Sequence, residues 1–350
     1  MAFSIYTRTR SARLRVTTAE GQVILVSNLD GDQGFRMNFS CRRAMDDAPG
    51  EFDVTVYNLP PDVLGQLEAA QTRRVDDLDQ LLVGAGLQSA SVAEDGSDAI
   101  KTGFLVVELE AGYDEQLSRI FRAIGVRIFS RPDSSLTTTL TTITAHETID
   151  AVVLGLPLTT FAAGTPTYEV IDYLRKIAGL GPGNFSPTTL AALLGDSRLD
   201  SPYPISGGQA LDRLRALLEY LPMRWFTDDR ELWICGREGV SGPNNSPPWV
   251  TDEIFEPDII LSPPQRDDGG RIIVECLLSP RLRVGRLVRL TEAGLALPLQ
   301  GLSPSLQQIQ RARVPPGLYR LDELEHVGDT GPGEWTSRLT LRTVVQAGGV

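Results

Sequence analysis

The sequence is short of the residues that most catalytic chemistry needs. Its only histidines are His146 and His326, and its only cysteines are Cys41, Cys235 and Cys276. A serine or cysteine nucleophile works through a neighbouring base, usually histidine, so a triad hydrolase has little to draw on, and no Gly-x-Ser-x-Gly elbow is present. The cysteines are far apart, odd in number and outside any Cys-x-x-Cys spacing, which argues against a disulfide framework or a structural zinc site and fits a reducing compartment. Lysine is nearly missing: Lys101 and Lys176 stand alone, and all other side-chain cations apart from the histidines are arginines. The 33 basic residues face 45 acidic ones for a formal net charge of -12, which disfavours duplex binding, because neutralising phosphates takes a cationic surface. Membrane insertion is not expected either. The uncharged stretch Ala151–Tyr168 contains Pro157, Pro166, two glycines and several threonines, and reads as a buried strand and loop. Arg8, Arg10, Arg13 and Arg15 near the start are followed by no apolar run of the secretory kind, so synthesis and retention in the cytosol are expected.

What is present is alternation. At 350 residues the chain exceeds the usual size of a single core, and its patterning divides it into 1–155, 156–238 and 239–350. Phe35, Met37, Phe39 and Cys41 alternate with polar residues, as do Phe52, Val54 and Val56, predicting a hairpin across the acidic loop 46–50. A short helix follows over 61–70, then a polar excursion over 72–103, then three β stretches beginning at Leu105, Ile120 and Leu136.

The middle segment changes period. Thr165-Pro166 reads as a cap and first turn for a helix with an apolar stripe at Val170, Ile171, Leu174, Ile177 and Ala178, stopped by Gly179. Ser186-Pro187 opens a second helix to Leu194. Ser206 and Gln209 suit a capping box for a third, which Pro222 stops. Arg224–Thr227 and Glu231–Cys235 form an aromatic hairpin turning at Asp228-Asp229, with Trp225 and Trp233 expected against Leu214 and Leu218. After a Gly/Pro/Asn/Ser-rich linker over 239–249, strands are predicted near Ile259, over Ile272–Leu278 and over Leu282–Leu290. In the last pair, the apolar phase slips between Leu321 and Leu324, predicting a bulge at Asp322-Glu323. Trp335, Ser337, Leu339, Leu341 and Thr343 then alternate with Glu334, Thr336, Arg338, Thr340 and Arg342. The fold class is mainly β with an α+β insert.

The remaining motifs carry little chemistry. Asp30-Gly31-Asp32-Gln33-Gly34 lacks the distal glutamate of a calcium loop and reads as a turn. Gly179-Leu180-Gly181-Pro182-Gly183 follows a helix, so it is no phosphate loop. No catalytic residue, metal ligand or cofactor site is predicted. The functions these residues leave open are a peptidoglycan- or glycan-degrading enzyme built on a carboxylate pair, and a carbohydrate-binding module using Trp225 and Trp233.

A succession of short motifs resembles the baseplate or tail-tip hub proteins of tailed bacteriophages. It runs through Phe52-Asp-Val-Thr-Val-Tyr-Asn-Leu-Pro60, Leu109-Glu-Ala-Gly-Tyr113, Thr160-Phe-Ala-Ala-Gly-Thr-Pro166 and Glu231-Leu-Trp-Ile234. It ends in Gly317-Leu-Tyr-Arg-Leu321, His326-Val-Gly-Asp-Thr330 and Glu334-Trp-Thr336. One departure is Thr144-Ala-His-Glu147, where the family has an Asp-Gly turn. The resemblance implies two tube-protein-like antiparallel β-barrel domains per chain, with the helix-hairpin insert outside, and a homotrimer forming a pseudo-sixfold ring. That ring would join the tail tube protein to the central spike protein in the virion tail, beside tape-measure and baseplate wedge proteins, after assembly in the host cytoplasm. Strands with one wet face can join edge to edge into a water-lined wall. Three such faces are therefore expected to line a lumen for passing DNA or a subunit interface: Arg36, Asn38, Ser40 and Arg42; Asp53 and Thr55; and Glu334, Thr336, Arg338, Thr340 and Arg342.

Overall fold

The computed structural model describes residues 9–18, 21–29, 34–45, 50–69, 105–133, 137–147, 159–178, 180–205, 210–221, 223–236, 254–257, 259–291 and 314–343. The excursion over 72–103, the linker over 239–249, Asp30–Gln33, Gly179, the Ser206/Gln209 pair and Pro222 lie outside them. The protein is mainly β with an α+β insert.

Its first part comprises β1 (Arg10–Thr17), β2 (Val23–Ser27), β3 (Met37–Ala44), β4 (Glu51–Tyr57), β5 (Leu105–Tyr113), β6 (Gln116–Pro132) and β7 (Thr139–His146), with a helix α1 over 61–69. The last part contains β12 (Ile254–Phe255), β13 (Gln265–Arg266), β14 (Ile272–Leu277), β15 (Leu287–Leu290), β16 (Gly317–Asp329) and β17 (Trp335–Thr343). These strands form one sheet in the order β13-β14-β17-β16-β3-β4-β7-β6-β5-β1-β2, with β15 and β12 branching from β16. The join is the antiparallel ladder of β16 with β3, from Glu323↔Ala44 to Asp329↔Asn38. Sequence segments almost 300 residues apart are thus neighbours in one sheet.

The predicted hairpin is the β3–β4 pair, in register from Met37↔Val56 to Arg42↔Glu51. The expected bulge is also present. Leu321 pairs with Leu341 but Glu323 with Thr340, so Asp322 is the extra residue, and Tyr319, Leu321 and Leu324 all stay buried despite the phase slip. The strand expected from Leu282 starts at Leu287, because 280–286 turns.

Aliphatic and aromatic residues on the inward faces of β1 to β7 form one core, to which Leu278 and Trp335 of the last part contribute. The inward faces of β14 to β17 build another, joined by Met45, Phe226 and Cys235. Among the described residues no continuous ladder closes either half into a barrel. In the first half, β2 reaches the approach to β3 through Phe35 N–H donating to Ser27 O at 2.9 Å. In the second, the 254–266 segment pairs with β15 at Ile254-Phe255 and with β14 at Ile260 and Gln265-Arg266, bridging both flanks.

The insert holds β8 (Thr159–Phe161), α2 (Thr167–Ile177), α3 (Pro187–Leu194), β9 (Tyr203–Ile205), α4 (Ala210–Glu219), β10 (Met223–Asp228) and β11 (Glu231–Gly236). Val170, Ile171 and Leu174 of α2 pack with Leu211, Leu214 and Leu218 of α4 in a core of their own. Ser186 caps α3 as expected, its hydroxyl accepting from Thr189 N–H at 3.0 Å. At α2 the expectation fails: Pro166 itself occupies the N-cap position, and no side chain caps the helix. Thr165 is held instead by backbone, its carbonyl accepting from Leu199 N–H. No helix among the described residues is long and apolar enough to cross a membrane.

Candidate functional site

Two polar features remain once the cores are assigned: a wet sheet face and a buried ionic cluster. The wet face collects the three segments predicted from alternation. Asn38 lies opposite Thr55, Ser40 opposite Asp53 and Arg42 opposite Glu51. Through β16, Arg42 faces Glu325, which faces Arg338, which faces Glu275. Cross-strand neighbours therefore read Glu275, Arg338, Glu325, Arg42, Glu51, His146 across six strands of both halves. Opposite charges alternate along that row, the arrangement that favours cross-strand pairing. The same face adds Thr142 and Thr144 of β7 and Arg127 of β6.

Local bonds hold the surface. Arg42 Nε donates to Glu323 Oε1 at 2.6 Å, Thr144 Oγ1 to Asp53 Oδ1 at 2.6 Å, and the Thr55 and Thr142 hydroxyls meet at 3.1 Å. Arg36 and Glu334 sit just outside strands. Arg36 makes a two-pronged pair with Asp329 at 3.1 and 2.7 Å, and this hydrogen bonding holds the Asp329 carboxyl below its usual pKa. Glu334 is exposed in the β16–β17 turn, its carbonyl accepting from Asp329 N–H. Thr336 and Arg338 face outward, whereas Thr340 is nearly buried and Arg342 pairs with Asp322 at 2.8 Å beside the bulge.

The ionic cluster went unread in the sequence. Arg43 of β3 points from the opposite side of the strand to Arg42, and its side chain is 2% exposed. Its Nε donates to Glu147 Oε1 at 3.1 Å and its Nη2 to Asp229 Oδ1 at 2.5 Å. Its Nη1 lies 2.9 Å from Asp228 Oδ1, an ion-pair contact without hydrogen-bond alignment. Arg119 Nε of β6 donates to Asp229 Oδ2 at 3.1 Å, and Arg283 stands 3.9 Å from both aspartates. Glu147 also accepts from Gly50 N–H, Thr227 Oγ1 and Asp229 N–H.

The cluster thus ties the first β part, the insert's β10–β11 turn and the last part together. The turn is strained: Asp229 and Arg230 carry φ of 54° and 65°, where glycine is at ease and other residues are not. Burial raises the pKa of Glu147, opposed by Arg43; burial raises Asp228 likewise. For Asp229 burial is outweighed by Arg43, Arg283 and Arg119, and its pKa falls. Burial alone would lower Arg43, but Asp228, Asp229 and Glu147 together hold it above its usual value. Glu147, Asp228 and Asp229 bring oxygens within 4.8 Å of one another, spacing that suits a cation. The Arg43 guanidinium already supplies that charge.

The candidates for catalysis and sugar binding fare poorly. His326 Nδ1 lies 2.7 Å from Ser337 Oγ, a serine–histidine pair, but both residues are buried at 1% and 0% exposure, and burial, with Arg43 and Arg283, lowers the histidine pKa well below 6.5. No substrate reaches that pair. Cys41, Cys235 and Cys276 are buried and form no disulfide, and burial pushes the Cys41 thiol up to about 12. Trp225 packs in the insert core with Leu214 and Leu218, as expected. Trp233 does not: neighbouring strand residues face opposite ways, and it turns to the core of the last part under Arg286, 4.9 Å from the ring centroid. The hairpin is packed on both faces, so the two tryptophans form no common sugar platform.

No protein-family model matches the chain, and no curated protein matches it in sequence. Among solved structures it is similar to the 43 kDa tail protein of prophage MuSo2 from Shewanella oneidensis, with a TM-score of 0.50 and 8% identity over 95% of this chain and 96% of that one. It is also similar to the tail protein from Neisseria meningitidis MC58, with a TM-score of 0.46 and 8% identity over 95% and 96% of the two chains. The E. coli c3393 protein, a component of the type VI secretion system, follows with a TM-score of 0.46 and 7% identity over 88% and 73%. The fold is that of a bacteriophage tail protein, shared with the Shewanella protein along nearly the whole chain.

Proposed function

We propose that this chain is the structural hub of a phage baseplate or tail tip and is not an enzyme. Three copies, each contributing the β units 1–155 and 239–350, form a pseudo-sixfold ring with the 156–238 insert on its outside. The ring joins the sixfold tail tube protein to the threefold central spike protein in the virion tail and touches the tape-measure and baseplate wedge proteins. It assembles in the host cytoplasm, needs no cofactor, and lets DNA pass. The observation that carries this reading is the single wet face running through β14, β17, β16, β3, β4, β7 and β6, because it gives both β units one shared wall. Asn38, Ser40, Arg42, Asp53, Thr55, Thr336 and Arg338 supply much of that wall, flanked by Arg36, Glu334 and Arg342, and the wall lines the lumen. A net charge of -12 keeps DNA from adhering to the particle as a whole. Light scattering coupled to size exclusion, with negative-stain imaging, tests the reading. A mass of three 38.1 kDa chains and ring-shaped particles are expected, while a monomer persisting at high concentration would overturn it.

A further inference from the structure

The buried faces of the two β halves meet along a row of small polar side chains. Across β14, β17, β16 and β3 the ladders set Cys276 opposite Ser337, Ser337 opposite His326 and His326 opposite Cys41, and all four are buried. Cys41 belongs to the core of the first half and Cys276 to that of the last. The row therefore crosses the ladder of β3 with β16, which joins the halves into one sheet.

The bonding around His326 suits a neutral ring. Ser337 Oγ accepts from Ser279 N–H at 3.0 Å and lies 2.7 Å from His326 Nδ1, so its own hydrogen is available to the ring. Nε2 has no hydrogen-bond partner among the described residues. A second proton would make both nitrogens donors: Nδ1 would reverse its bond to the serine, and Nε2 would share a positive charge with no acceptor beside it. The surrounding charges oppose that proton as well. β3 brings Arg43 and the 280–286 turn brings Arg283, and both add to burial in lowering the affinity of the ring for a proton. The acids near those arginines, Glu147 after β7 and Asp228 and Asp229 of the insert, are engaged by Arg43, and Asp229 by Arg119 of β6 too. Cys41, with its thiol pushed up to about 12, supplies no anion.

We propose that this row is an acid-sensitive seam: the ladder of β3 with β16 closes on a neutral His326, and protonation of the ring opens the chain there, parting the two β halves before the insert unfolds. A histidine that is harder to protonate when folded stabilises fully above its ordinary value of 6.5 and less as pH falls below it, because the opened state takes the proton first. Glu147 and Asp228, raised by burial, act with the opposite sign, and the contribution of Asp229 is lost only in stronger acid, so the seam is read by comparing variants at each pH.

Hydrogen exchange read by mass spectrometry on the full chain tests this. Between pH of about 7.5 and about 5.5, corrected for the intrinsic exchange rate, protection over 38–44 and 323–329 is expected to fall about tenfold, the effect of one proton taken up near 6.5 by the opened state, while α2 keeps its protection. His326→Gln keeps hydrogen-bonding capacity without a titrating ring and is expected to lose that fall; His326→Met takes its place if the glutamine variant does not fold. Ser337→Ala weakens the same row but keeps the histidine, and is expected to show the wild-type fall. The inference is overturned by a wild-type chain whose protection over 38–44 and 323–329 does not change, by an equal fall in α2, or by a fall that persists undiminished without the histidine. Chain mass is not the readout, so the hub reading stands or falls separately.

Discussion

Arg43 is the residue on which most of the molecule converges, since the first strands, the insert and the last part all bring acids or arginines to it. Removing one member of a buried, hydrogen-bonded ion cluster leaves its partners charged and desolvated, which costs about 3–5 kcal/mol. Arg43→Met is expected to destabilise the chain by that amount in urea unfolding, and Arg43→Lys to recover little of it, because an ammonium cannot present a planar fork to Glu147, Asp228 and Asp229 at once. A loss under 1 kcal/mol for Arg43→Met would mean the cluster is incidental. Little of this was legible in the sequence. Arg42 and Arg43 are adjacent and chemically identical, yet the first lies on the wet face and the second inside, and the alternation of Phe39 and Cys41 placed only the first. Glu147 gave a faint signal: the resemblance failed at Thr144-Ala-His-Glu147, and a break in a familiar turn is where a long-range partner can be served.

At the scale of elements, the closing strands show why period-two patterning reads well where turns are local and poorly where partners are distant. The β3–β4 and β16–β17 hairpins and the bulge at Asp322 follow from alternation within thirty or so residues. β1 and β2 were missed. Their inward set is small, Ala12, Leu14 and Val16 with Ile24 and Val26, and β1 finds its main partner β5 only beyond the 72–103 excursion. Gly328 gives the resemblance motif His326-Val-Gly-Asp-Thr330 a physical meaning. It stands opposite Phe39 on one side and Trp335 on the other, and their rings meet edge to face at 5.5 Å. A Cβ at this position would lie 2.1 Å from Phe39 Cζ, inside a core where Phe39 is 1% exposed and has little room to yield. Gly328→Ala is therefore expected to cost about 1–3 kcal/mol through overpacking, and Gly328→Ala with Phe39→Leu to cost less than the two changes added. Additive losses would show that the ring does not need the missing side chain.

For the whole molecule, the row Glu275, Arg338, Glu325, Arg42, Glu51 determines how the wet face meets a polyanion. Arginines alone would release counterions from DNA and bind it; acids alone would repel it. Interleaved, they cancel over distances shorter than the roughly 8 Å Debye length at physiological salt, so a phosphate brought to this face would meet little net field. The alternation seen in β3, β4 and β17 could place these residues on one side of their strands, but only the β16–β3 ladder shows that the sides join. Replacing Glu51, Glu275 and Glu325 with glutamine removes the acids directly opposite Arg42 and Arg338, while Arg42 keeps its ion pair with Glu323. This variant is expected to bind a short linear duplex at low salt in an anisotropy titration, with affinity falling steeply as salt rises, whereas the wild-type protein binds none. A control with the insert acids Glu169, Asp212 and Glu219 changed to glutamine shifts net charge equally, so by field alone it would act the same. If the two triple variants bind DNA alike, total charge governs the encounter and the interleaved row has no special part in it; if only the first binds, the row is the surface that DNA meets.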